Sequence, residues 1–190
     1  MGKKWFYAFA ILLVCLSLFL PGAASAGSAM PLTGEWAFSY EPETPVLRIS
    51  GDGTAWYQDR ELTWEAGDGF LRLTDGEGRT ESLRYLITEE RKFIYPRTAY
   101  HRGKEVEGQG GLIGIWEGVN GGSSFVFTPA GYFLEDSSFS GNFMINEEEG
   151  TFLLHDGNVF ADTLCYYTID ENEILTVEYP WEIVELKKAP

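Results

Sequence analysis

The chain is poor in the residues from which most active sites are made. It carries two cysteines and two histidines in 190 residues. Cys15 falls inside an N-terminal apolar run, which leaves Cys165 alone in the remainder and excludes an intramolecular disulfide there. His101 and His155 form no His-x-x-x-His pair and no Cys-x-x-Cys is present, so a zinc site lacks its usual ligands. Gly-x-Ser-x-Gly, a phosphate-cradling glycine loop and a Rossmann fingerprint are all missing. Basic residues are scarce too, 14 Lys and Arg against 29 Asp and Glu. So negative a surface repels phosphate backbones and argues against nucleic acid and anionic membranes. Finally, no segment places apolar residues at i, i+3, i+4 and i+7 over three turns, so helix content is expected to be close to nil.

What is abundant is acid, and most of it falls in turns. Glu89-Glu90 and Glu147-Glu148-Glu149 read as solvated loops rather than a catalytic carboxylate pair. Asp52, Asp75 and Glu77 sit in Gly-rich turns without the spacing of a calcium loop. The expectation is therefore a non-enzymatic protein with no catalytic residues, no cofactor and no metal.

The N-terminus reads as an export signal. Lys3 and Lys4 precede an uncharged run from Trp5 to Leu20, Pro21-Gly22 breaks it, and Ala24-Ser25-Ala26 offers small residues for a peptidase. The run is shorter than the roughly 20 residues that span a bilayer. Residues 1–26 are thus expected to be a signal peptide cleaved after Ala26, giving a secreted or cell-envelope protein with no stable membrane span after cleavage. Loss of the two lysines leaves 12 basic against 29 acidic residues, a net charge of about −17.

An internal repeat organises the rest. Leu32-Thr-Gly34-Glu-Trp36 recurs as Leu112-Ile-Gly114-Ile-Trp116, and Leu47-Arg-Ile49 with Gly53 recurs as Phe125-Val-Phe127 with Gly131. Gly69-Phe-Leu71-Arg-Leu73 recurs as Gly150-Thr-Phe152-Leu-Leu154, and Leu83-Arg-Tyr85-Leu-Ile87 as Cys165-Tyr-Tyr167-Thr-Ile169. Phe93 and Tyr95 align with Leu175 and Val177, Asp75-Gly76 with Asp156-Gly157, and the offset stays between 78 and 82. The common order points to a duplication, with repeat 1 at 32–103, a Gly-rich charged linker at 104–111 and repeat 2 at 112–188.

Apolar residues alternate with polar ones inside each matched segment, the rhythm of a strand with one buried face. The expected inward set of repeat 1 is Leu47, Ile49, Trp56, Leu62, Trp64, Leu71, Leu73, Leu83, Tyr85, Ile87, Phe93 and Tyr95, with Arg48, Thr63, Arg72 and Arg84 outward. Gly51-Asp52-Gly53, Gly67-Asp68-Gly69 and the Asp-Gly pairs supply hairpin turns. Short strands joined by such turns are antiparallel neighbours. Up to eight per repeat predict an all-β protein of two tandem small antiparallel meanders, each closed or strongly coiled to hide its edges. The alternative is one larger barrel or sandwich built from both copies.

Gly34 and Trp36, repeated as Gly114 and Trp116, open each meander with Gly-x-Trp. The pattern resembles the short lipocalin-like β-barrel domains of secreted bacterial proteins, a resemblance spanning nearly the whole chain after the signal. It implies that a basic residue of the closing strand covers the opening tryptophan: Arg102 over Trp36, and Lys187 or Lys188 over Trp116. The second lipocalin signature, Thr-Asp-Tyr, is absent. A dozen inward side chains on such short strands imply a filled interior rather than a deep calyx. Phe70, Leu153, Leu164 and Tyr166 fall on the outward faces and form a candidate contact patch. An exported, non-enzymatic binding or interaction module follows, its partner, whether a protein or a small apolar ligand, not named by the sequence; the alternative is a carrier of a small apolar ligand in a barrel cavity.

Overall fold

The computed structural model describes residues 32–104, 107–156 and 162–186. The expected signal peptide, Gly157 of the second Asp-Gly turn, and Lys187 and Lys188 lie outside them. The described regular structure is entirely β, in sixteen strands that close into two separate eight-stranded antiparallel barrels. Each repeat supplies eight strands, and the single larger barrel does not form.

Repeat 1 contributes β1 (Gly34–Phe38), β2 (Pro45–Ile49), β3 (Thr54–Tyr57), β4 (Arg60–Gly67), β5 (Phe70–Thr74), β6 (Thr80–Ile87), β7 (Lys92–Tyr95) and β8 (Arg97–Arg102). Repeat 2 contributes β9 (Gly114–Gly118), β10 (Ser124–Phe127), β11 (Tyr132–Glu135), β12 (Phe139–Asn146), β13 (Thr151–Asp156), β14 (Thr163–Ile169), β15 (Ile174–Glu178) and β16 (Trp181–Glu185). Between most neighbours a tight turn reverses the chain. At Asp68-Gly69 both φ angles are positive, 53° and 78°, the pairing that a two-residue hairpin of this twist demands.

The barrels do not coincide with the repeats. Strand β8 leaves its own repeat and pairs with β9 and β15, while β16 returns to pair with β1 and β7. Barrel two is consequently one continuous run, β8 to β15, inserted between β7 and β16 of barrel one. The boundary falls at Pro96 and at Tyr179-Pro180, not in the 104–111 segment. The physical reason is the absence of a turn: one residue, Pro96, separates β7 from β8. Proline fixes φ near −65°, lacks the amide that closes a turn and favours an extended residue before it. The strand therefore runs on into the neighbouring barrel instead of folding back.

Shared hydrogen bonds mark the duplication. The Trp36 indole donates to Leu32 O at 2.7 Å and the Trp116 indole to Leu112 O at 2.8 Å. The amide of Trp64 donates to Gly53 O as that of Phe143 does to Gly131 O, and Tyr85 to Gly69 O as Tyr167 to Gly150 O. Gly34 and Gly114 open the motif at φ of 139° and 146°, a conformation side-chain-bearing residues rarely adopt.

Side chains fill both barrels. Barrel one buries Trp36, Leu47, Ile49, Tyr57, Leu62, Trp64, Leu71, Leu73 and Leu83; barrel two buries Tyr100, Trp116, Phe125, Phe127, Phe133, Phe143, Phe152, Cys165 and Val177. Two strands of repeat 1 depart from the expected phase. Ala55 and Tyr57 point inward, whereas Trp56 lies across from Arg48 and Glu61 on the outer face. Its counterpart Leu134 is also outward, so the repeats agree even where the expectation was inverted. On β7 the inward residue is Ile94, fully buried, and Phe93 and Tyr95 turn outward. Tyr85 pairs with Ile94 as Tyr167 pairs with Val177, so the true offset here is one residue longer than 82, and one residue exchanges the faces of a strand. In repeat 2 Leu175 and Val177 are inward as expected.

Candidate functional site

Two of the four predicted patch residues meet across the seam between barrels. The Arg84 guanidinium on β6 lies over the Phe70 ring of β5 at 4.5 Å and over the Tyr166 ring of β14 at 3.7 Å. Tyr95 meets Tyr166 edge-on, with ring centroids 5.7 Å apart. Glu178, buried at the end of β15, accepts from Arg84 Nε at 2.8 Å and from Arg97 Nε at 2.9 Å. Leu153 and Leu164 are cross-strand partners on β13 and β14; Leu153 is half-buried and Leu164 stays exposed. The patch therefore divides: Phe70 and Tyr166 meet Arg84 at the barrel-to-barrel seam, Leu164 lines a cleft beside it, and Leu153 lies outside that lining.

That cleft has a volume of about 660 Å³ and draws on both barrels. Barrel one supplies Tyr40, Leu86, Arg91, Phe93 and Trp181; barrel two supplies Phe133, Glu135, Phe139, Leu164 and Tyr166. Rings dominate one end: Tyr40 and Trp181 lie 5.3 Å apart between centroids, and Tyr179 and Trp181 5.6 Å. The strand exchange builds this end, because β16 carries Trp181 to the rim of barrel one beside Phe38 and Tyr40. The charged pair on the wall is closed on itself, with Arg91 donating to both Glu182 oxygens at 3.0 and 2.7 Å. Set against family models, curated proteins and solved structures, the chain matches none.

Glu135 is the chemically distinctive group. It ends β11 at the position where repeat 1 has Tyr57 and faces the cleft. Burial, reinforced by the neighbouring Asp136 carboxylate, pushes its pKa up to about 7. Asp136 is itself engaged, accepting from the Ser124 amide at 2.6 Å. No described residue supplies a hydrogen bond or ion pair to the Glu135 carboxylate. Tyr57, its counterpart, is driven up to about 12, chiefly by burial. Sequence reasoning passed over Glu135; the available signal was an acid at the inward register of a strand whose twin carries an aromatic.

The signature residues have exchanged partners. Arg102 lies over Trp116, 4.2 Å from its ring, because β8 belongs to barrel two; it does not cover Trp36. Trp36 is capped instead by Lys92 of β7, its ammonium 4.1 Å from the ring. Both histidines are exposed on barrel two, His101 3.4 Å from a Glu117 oxygen and His155 bonded to Asp162. Cys165 is fully enclosed in barrel two, and burial raises its thiol well above the ordinary range, which removes thiolate character. Asp52 and Asp75 spend their carboxylates on their own turns, on Thr54 and on Arg79 with the Glu77 amide. Among the described residues no group of three or more His, Cys, Asp or Glu is arranged to hold a metal ion.

Proposed function

We propose that this chain is an exported, non-catalytic binding protein that holds a small, largely apolar ligand in the cleft between its two barrels. The cleft itself carries the reading: its volume falls within the ~300–1,000 Å³ usual for small-molecule sites, and its walls are mainly rings and branched carbons. The filled interiors direct attention away from a calyx and toward the seam. Leu86, Leu164 and Trp181 favour this too, being 47%, 42% and 39% exposed while facing one concavity. A docked protein segment is the second reading, favoured by the same exposure at the rim.

The test is titration of the mature chain with the neutral dye N-phenyl-1-naphthylamine. Saturable fluorescence enhancement at one site, lost in Leu164→Arg and kept in Met144→Arg on the outer face of barrel two, supports the cleft. Equal loss in both variants, or no enhancement in the native chain, sinks it. Export is tested separately: the mature protein recovered outside the cytoplasm should begin at Gly27.

A further inference from the structure

The walls of the cleft are apolar, but its charge is not balanced. Four charged residues face it among those described: Arg91, Glu135, Asp162 and Glu182. The single cation of these, Arg91, is neutralised by its two-pronged contact with Glu182. Asp162 is bonded to His155. Glu135 is left as a carboxylate with no hydrogen-bond or ion-pair partner among the described residues, placed where apolar walls meet a concavity open to a ligand. An ionised carboxylate in such surroundings carries a desolvation cost that a bound cation offsets. The rings add to the same preference, since their faces attract cations; Arg91 already lies 4.9 Å over Phe93 in this wall.

We infer that the ligand of the inter-barrel cleft is a cationic amphiphile, an apolar body bearing a protonated amine whose ammonium docks on the Glu135 carboxylate. This rests on the binding reading above and adds the charge and anchor of the ligand. Anions are excluded by the same arrangement, because a second negative group would meet both Glu135 and the chain's overall negative charge.

The carboxylate also makes the site responsive to pH. Its surroundings are Asp136 on its own loop, Tyr100 on β8 and Cys165 on β14, with Arg91, Glu182 and Asp162 on the cleft walls. Above about pH 7 Glu135 is charged and holds the amine; below that it takes up a proton and releases it. At pH below 7 amine binding therefore expels a proton from the protein.

The experiment is calorimetric titration of the mature chain, in 0.15 M salt at pH 8, with decylamine, decanol and decanoate. Decylamine should bind at least tenfold more tightly than decanol, and decanoate more weakly than either. Glu135→Gln should bring decylamine down to the affinity of decanol and leave decanol unchanged. Moving the native chain from pH 8 to pH 5.5 should reproduce that loss without any substitution, while Glu135→Gln stays flat. If decylamine and decanol bind alike, or the amine preference persists in Glu135→Gln, the anchor is wrong and the apolar cleft stands. If none of the three binds, the cleft reading falls and this inference with it.

Discussion

Barrel one is filled mainly by aliphatic side chains, among them Leu47, Leu62, Leu71, Leu73 and Leu83, whereas barrel two is filled mainly by rings. In the latter Phe125 stacks on Phe127 at 5.3 Å, and Phe143 and Phe152 meet Phe127 edge-on at 5.0 and 5.2 Å. The two nonetheless share the indole-to-carbonyl hydrogen bond at the Gly-x-Trp start and the backbone hydrogen bonds at the later turns. Inward-outward rhythm and turn chemistry thus specify the closed meander, and the identity of the filling is free to drift provided the volume is kept. The second difference is topological. Barrel two is continuous in sequence, and barrel one depends on it to return β16.

The sharpest way to break this comparison is to cut the chain. Residues 97–178 hold every strand of barrel two, and expressed alone they should fold into a monomer with β circular dichroism and cooperative urea unfolding. Residues 112–188 correspond to the sequence repeat but lack β8, which leaves β9 and β15 as open edges. That fragment should aggregate or associate. Well-behaved monomers from 112–188 would show that β8 is dispensable and the exchange incidental.

Core truncations come next in size. Phe127→Ala removes the hub of the ring cluster and should cost about 4 kcal/mol; Leu71→Ala, fully buried in barrel one, about 3 kcal/mol. Their reach should differ more than their size. With barrel two unfolded, closing barrel one means bridging a loop of more than 80 residues, an entropic cost of about 4 kcal/mol. Hydrogen exchange should rise in both barrels for Phe127→Ala and in barrel one alone for Leu71→Ala.

The seam and the pH dependence give intermediate effects. Glu178→Gln removes the charge shared by Arg84 and Arg97 and replaces one of the two accepting oxygens with an NH2 donor; it should cost about 2 kcal/mol, since Arg97 keeps some access to water. Glu135 and Tyr57 occupy equivalent inward positions and place their proton-linked windows far apart. Both folded pKa values lie above the unfolded ones, so the folded chain holds a proton that the unfolded chain gives up. Stability then falls with rising pH across about 4.5 to 7 for Glu135 and about 10 to 12 for Tyr57. For half-buried Glu135 the change should be about 1–2 kcal/mol, and Glu135→Gln should flatten the first window in urea titrations between pH 4 and 8.

Much of this architecture can be read from the chain, and the exceptions are local. The eight strands per copy follow from alternation and from Gly turns, and the outward positions of Phe70, Leu164 and Tyr166 follow from the same rhythm. Thr54-Ala-Trp-Tyr57 is too short and too apolar on both faces for periodicity to choose a side, and it is Trp56 that faces outward. The strand exchange left a trace in Tyr95-Pro96-Arg97, where no residue suited to reversal separates two strand-like runs. The cleft has no linear signature, because its walls come from strands far apart in sequence that only the exchange and the docking of barrels bring together.

The smallest single effect, that of Lys92→Ala, belongs to the caps on the two tryptophans, which a different element provides in each barrel. Among the described residues Lys92 makes a ring contact with Trp36 and no forked donation, and lysine ammoniums are strongly hydrated point charges; Lys92→Ala should cost about 0.5–1 kcal/mol. Arg102 lies over Trp116 and also donates to Ile113 O at 3.2 Å and Gly111 O at 3.1 Å, tying the start of β9 and the segment before it to β8. Arg102→Ala should therefore cost about 2 kcal/mol, and Arg102→Lys should recover the ring contact but not the forked donation. The glycines before the tryptophans report the same asymmetry. A Cβ on Gly114 would come within 2.8 Å of Arg102 Nη1, whereas one on Gly34 would meet only the Trp36 ring, at 3.6 Å. Both substitutions carry the positive-φ penalty, so the extra loss in Gly114→Ala over Gly34→Ala isolates displacement of Arg102. That excess should vanish when Arg102→Ala is already present. If it persists, Arg102 is not what Gly114 makes room for, and the two caps are more alike than their partners suggest.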